Sequence, residues 1–118
     1  MFVEELKKRF RTFAIQNGEL INVMPQNTIN LAYTRQLIRS SSSPGTNYRA
    51  ACRAKSTADF INKLKIVEEE ADESIYFLEL LLYFNSNLTQ EFNELIKEGK
   101  ELLAIIVASL KTSRANKL

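Results

Sequence analysis

Apolar residues recur every three or four positions along nearly the whole chain, and the recurrence breaks at a few short polar joins. From Val3 to Val23, Leu6, Phe10, Phe13 and Leu20 or Ile21 fall on one side of a helix. Pro25 ends that segment, and Asn27 or Thr28 offers a side-chain oxygen to cap the next. A second helix is expected from Ile29 to Ala54, flawed at Ser40-Ser41-Ser42-Ser43-Pro44-Gly45. Pro44 lacks an N–H and disfavours helical geometry at Ser43. The choices are a kinked continuous helix, which we prefer, or a new segment with Ser43 as cap and Pro44 as first residue. Ser56-Thr57-Ala58-Asp59 has the form of a capping box and opens a third helix reaching Phe84, striped by Phe60, Leu64, Val67, Ala71, Ile75, Leu78 and Leu82. Asn85-Ser86-Asn87 reads as a turn. Thr89 then caps a fourth helix carrying Phe92, Leu95, Ile96, Leu102 or Leu103, Ile106 and Leu110 to about Thr112, and Ser113 to Leu118 read as a frayed tail.

Four helices with joins this short must run antiparallel to their neighbours. The expectation is an all-α, up-down-up-down four-helix bundle with a Pro-kinked second helix, one domain over residues 1–118. One stretch exceeds what a lone bundle needs. Ile75 to Phe84 is apolar on every face except at Glu79, so part of it must lie exposed or be covered by another chain. A homo-oligomer is expected, with Tyr76, Leu80 and Tyr83 as candidate interface residues.

Composition narrows the class. With 118 residues, 45% of them hydrophobic, and few glycines and prolines, the chain fits one small helical domain. Cys52 is the sole cysteine, which excludes an intramolecular disulfide and suits a reducing compartment. MFVEELKKRF has no apolar signal-peptide core. The longest apolar run, Leu102 to Ala108, is well short of the roughly 18 residues a membrane crossing takes. A cytoplasmic protein with no membrane partner is expected.

The net charge of +2 hides an uneven distribution. Pairing levels across the joins places twelve of the 16 cations, but five of the 14 acids, toward the end where the second helix meets the third. Lys63 is among those cations. Arg49 and Arg53 stand one turn apart with Lys55 beside them, and such a group attracts phosphates. Arg35 and Arg39 fall level with Asp72 and Glu73, where ion pairing within the fold is the expected role.

Enzyme chemistry finds little support. The chain has no histidine, which removes Ser-His and Cys-His nucleophiles, common zinc sites and the Glu-x-x-His di-iron pattern of helical bundles. Cys52, among Ala50, Ala51 and Ala54, reads as a small packed residue. The acids from Glu68 to Glu73 point around a helix rather than converging, and Gly45 makes no phosphate loop. No enzyme activity, metal or cofactor is expected.

The stretch Gln36 to Leu81, QLIRSSSSPGTNYRAACRAKSTADFINKLKIVEEEADESIYFLELL, resembles the four-helix bundle proteins of the 23S ribosomal RNA intervening-sequence family. The resemblance extends over nearly the whole chain. It implies an antiparallel bundle assembled as a homopentameric ring. It also implies similarity to the accessory variability determinant of diversity-generating retroelements, a basic pentameric barrel that binds nucleic acid and its reverse transcriptase. By position, the candidate nucleic-acid contacts it implies are Arg35, Arg39, Arg49, Arg53 and Lys55. The expected function is therefore non-enzymatic binding of RNA or DNA through the basic end. The alternative is an adaptor ring that binds a protein partner, its cations serving ion pairs between protomers.

Overall fold

In the structure, a computed structural model describing residues 2–116, α1 runs Phe2–Val23, α2 Thr28–Ala51, α3 Thr57–Phe84 and α4 Thr89–Asn116. Among the described residues there is no strand, and the one further element is a 3₁₀ turn at Ser86–Leu88. Helix starts obey the expected capping chemistry. Asn27 Oδ1 accepts from the Asn30 N–H at 2.8 Å, and Ser56 Oγ accepts from the Asp59 N–H at 3.1 Å. Thr89 is different. It already has helical backbone angles, and the 3₁₀ turn feeds α4 directly, so no side-chain cap is needed there. The tail expectation also fails in part: Ser113 to Asn116 continue α4, while Lys117 and Leu118 lie outside the described residues.

Pro44 sits inside an unbroken α2, so no second segment begins at Ser43. The polar residues around it bond within their own helix. Ser42 Oγ donates to the Ile38 carbonyl at 2.8 Å, and Asn47 Nδ2 donates to the Ser43 carbonyl at 3.0 Å. Ser40 and Ser41 are buried, with their hydroxyls turned to the carbonyls of Leu37 and Ile38. Pro44 itself is buried, which offsets part of its cost in a helix interior. Pro44→Ala should recover about 3 kcal/mol of helix propensity and forfeit about 1.6 kcal/mol of ring burial. A rise of a few degrees in thermal midpoint is the expected calorimetric result.

Each helix packs on two neighbours in the order α1–α2–α3–α4–α1, within extents of 49 × 22 × 20 Å. The contacts run in opposite senses along neighbouring helices: Phe10 meets Tyr48 and Gly18 lies by Ile38, Arg39 meets Glu70 and Asn30 meets Asn85, and Arg9 meets Glu98 while Leu20 shares a hollow with Glu91. Phe10, Phe13, Leu64, Leu78, Phe92 and Ile106 are among the side chains that fill the interior. Two glycines allow helices to approach. A Cβ on Gly99 would stand 3.0 Å from Ile75 Cγ1 and 3.3 Å from Phe13 Cζ, and one on Gly45 would stand 3.3 Å from Phe10 Cβ. At the end opposite the α2–α3 join, Asn30 and Asn85 are buried and exchange two amide hydrogen bonds of 2.9 Å. Asn30 Nδ2 also donates to the Pro25 carbonyl, and Asn85 Nδ2 to the Leu81 carbonyl, so the pair ties together three chain segments. Asn17 is buried as well. Its Nδ2 donates to the Phe13 carbonyl at 2.8 Å, while its Oδ1 has no hydrogen-bond partner among the described residues.

Candidate nucleic-acid interface

The start of α1, the end of α2, the start of α3 and the end of α4 meet at one end of the bundle around a hollow of about 620 Å³. Val3, Tyr48, Cys52, Lys55, Phe60 and Asn116 are among its walls. α2 unwinds here through successive tight turns: the N–H groups of Cys52, Arg53 and Ala54 reach back to the carbonyls of Tyr48, Ala50 and Ala51. The chain then reverses into the Ser56 cap.

This reversal sets the candidate cations. Arg49, Arg53 and Lys55 are exposed, and Lys63 is half-buried on α3. None of the four makes an ion pair among the described residues. Arg53 lies past the helix end rather than on its face. Its Nη1 donates to the Arg49 carbonyl at 3.2 Å, capping a free carbonyl while the residue stays exposed. Lys8, Arg11, Lys65, Lys111 and Arg114 are likewise exposed and unpaired among the described residues.

The charge pattern is less lopsided than the level pairing implied. Arg9, counted with the basic end, meets Glu98 at 2.6 Å and Glu101 at 3.1 Å, bringing two acids from the other half up to it. The hydrogen bond to Glu98 raises the Arg9 pKa above its ordinary value against the opposing effect of partial burial. Lys7 is taken by Glu4 at 3.1 Å. Arg9 is thus a bridge between α1 and α4, a role that sequence spacing could not reveal across 89 residues.

Arg35 and Arg39 part company. Arg39 pairs with Glu70 at 2.6 Å and with Glu73, and the Glu70 bond raises its pKa. That is the expected tie to α3, and it occupies the side chain. Arg35 instead borders a hollow between α1 and α2 beside Ile38 and Glu19, with no ion pair among the described residues. The reason is angular: a four-residue step rotates by about 400°, so Arg35 stands about 40° from Arg39 around α2, on the side toward α1.

Cys52 corrects another expectation. It is exposed, not packed, because it falls one residue beyond α2 where the interior stripe has ended. The neighbouring Tyr48 is buried, and burial, followed by the proximity of Cys52, pushes its phenol pKa up. No group of three or more possible metal ligands occurs among the described residues, and no helix there is long and apolar enough to cross a membrane.

The candidate interface residues form an exposed ridge. Tyr76 is 57% exposed and Tyr83 81%, with half-buried Leu80 between them. Tyr76 sets its edge on Phe77 at 5.7 Å and Tyr83 on Phe84 at 5.1 Å, and Tyr33 of α2 backs both phenylalanines.

The model of the 23S rRNA-intervening sequence protein family matches residues 5–108. The chain belongs to that family. Among solved structures, it is similar to a Bacteroides thetaiotaomicron protein of unknown function from the S23 ribosomal protein family. The two chains are 30% identical, with a TM-score of 0.84 over 94% of this chain and 99% of that one. No curated protein matches. For this member of the intervening-sequence family, the matched segment takes in all the candidate cations and the aromatic ridge.

Proposed function

We propose that this protein is a non-enzymatic homo-oligomer, a pentameric ring by family resemblance, that acts in the cytoplasm and binds RNA or DNA through the end where α2 gives way to α3. In this reading α2 bends at Pro44 to shape that end. The observation that carries the proposal is the group Arg49, Arg53 and Lys55: three exposed cations within seven residues, none neutralised by a carboxylate among the described residues. Their clustering concentrates positive potential where a phosphate backbone can displace counterions. Repetition around a ring would multiply the contacts along one strand.

Titration of the protein into labelled single- and double-stranded RNA and DNA, with gel shift at low and moderate salt, tests it. Binding that weakens with salt is expected. Absence of a shift at low salt, with capture of a protein partner after nuclease treatment, would instead favour the adaptor ring. The oligomer has its own test by light scattering. Tyr76→Glu, which sets a charge in a face the proposal covers, should lower the mass toward that of one chain at micromolar concentration.

A further inference from the structure

Two surfaces outside the basic end stand at overlapping heights, one a ridge and the other a hollow. The first is the ridge Tyr76–Leu80–Tyr83 on the outer side of α3. Each tyrosine has one ring contact, Tyr76 with Phe77 and Tyr83 with Phe84, and Tyr33 packs behind both phenylalanines. The second is a hollow of about 540 Å³ between α1 and α2, whose border includes Ile15, Gly18, Glu19, Ile21, Arg35 and Ile38. Ile15 is 50% exposed and Ile38 44%. Gly18 leaves its floor open, since an added Cβ would meet nothing nearer than Ile38 Cδ1 at 3.9 Å.

The heights overlap. Asn30 is bonded to Asn85, and Arg39 reaches Glu70 and Glu73, so the part of α2 from 30 to 39 runs beside the part of α3 from the low seventies to 85. Thr34, Arg35 and Ile38 lie between those two rungs on α2, and Tyr76, Leu80 and Tyr83 lie between them on α3. Rotation about an axis along the bundle preserves height, so it brings the ridge of one copy to the hollow of the next. One opposite-charge pair is available across such a contact. Arg35 borders the hollow, with Glu19 also on its rim, and Glu79 flanks the ridge; neither Arg35 nor Glu79 makes an ion pair among the described residues.

We propose that the ridge of one protomer docks in the α1–α2 hollow of the next, Arg35 meeting the neighbour's Glu79, as the repeating head-to-tail contact of the assembly. This rests on the oligomeric reading above and adds which faces meet. A head-to-tail contact between faces that are not diametrically opposite turns each copy relative to the last, and such an array closes into a ring when the turn divides a full circle.

Gly18→Leu is the sharpest probe. It has room in the isolated bundle and improves helix propensity, yet it plugs the hollow. Light scattering should show Gly18→Leu, Arg35→Glu and Glu79→Arg each at least tenfold weaker in assembly, with the double charge exchange Arg35→Glu/Glu79→Arg recovering it. In a Cys52→Ser background, a chain carrying both Ile38→Cys and Tyr76→Cys should oxidise to a ladder of linked copies. Mixed single variants should stop at a linked pair, and Tyr76→Cys alone should form none. A wild-type monomer would overturn both the oligomer and this contact. An oligomer indifferent to Gly18→Leu, or Tyr76→Cys linking to itself across a two-fold axis, would overturn this contact alone.

Discussion

The triple variant Arg49→Ala/Arg53→Ala/Lys55→Ala should bind nucleic acid about a hundredfold more weakly than the wild type near physiological salt. The magnitude comes from counterion release. Each neutralised phosphate contributes about 0.7–0.9 to the slope of log K against log salt, which near 0.15 M is worth roughly four- to fivefold in affinity. Three such contacts multiply to about a hundredfold, and the slope itself should flatten by about 2–3. The flattening separates lost phosphate contacts from damage to the fold, which would reduce active protein without changing the salt dependence. All three side chains are exposed, so stability should move little beyond the loss of Arg53's bond to the Arg49 carbonyl. Lys97→Ala, on an exposed face of α4, should change affinity less than twofold. Equal binding by the triple variant and the wild type, measured by fluorescence anisotropy across a salt series, would remove the basic end from the function.

Asn85→Ala should be the costliest of the stability changes considered. It deletes both reciprocal amide bonds with Asn30 and the bond to the Leu81 carbonyl, and it strands the Asn30 Oδ1 in a buried place. A buried polar atom left unpaired costs about 1–3 kcal/mol, and the alanine leaves a gap besides. A total of roughly 3 kcal/mol is expected, lowering the thermal midpoint by roughly 10–15 °C for a chain of this size. Asn30→Ala added to Asn85→Ala should cost much less than it does alone, since its partner is already gone. Additive costs in that denaturation cycle would mean the amides do not act as a pair.

Much of the fold is readable because its determinants are local. Leu6, Phe10 and Phe13 repeat at helical spacing, Pro25 stops α1, Asn27 caps α2 and Ser56 caps α3, each within a few residues. Contacts between distant residues are less readable. Arg9 is indistinguishable in sequence from the cations around it, and its capture by Glu98 and Glu101 depends on how α1 lies on α4. Asn30 and Asn85 did leave a trace, for Asn30 stands seven residues before Leu37 on the buried side of α2, where an amide is out of place unless partnered. Arg35 and Arg39 differ in role because a four-residue step leaves them about 40° apart around α2, enough to set Arg39 against the acids of α3 and Arg35 beside the α1 hollow. Cys52 shows the limit of composition: alanine neighbours suggest burial, but the end of α2 decides exposure.

The hollow at the basic end contains both Val3 and Asn116, so the two ends of the described segment emerge together beside Lys55. Any tag or fused protein attached at either terminus would therefore overhang the surface proposed for nucleic acid. The join at residues 24–27 lies at the far end of the bundle, but buried Met24, the Pro25 carbonyl that Asn30 uses and the Asn27 cap leave it little room for an insertion. Whether a terminal tag is left in place thus decides whether a binding assay reports on the protein or on what has been fastened over it.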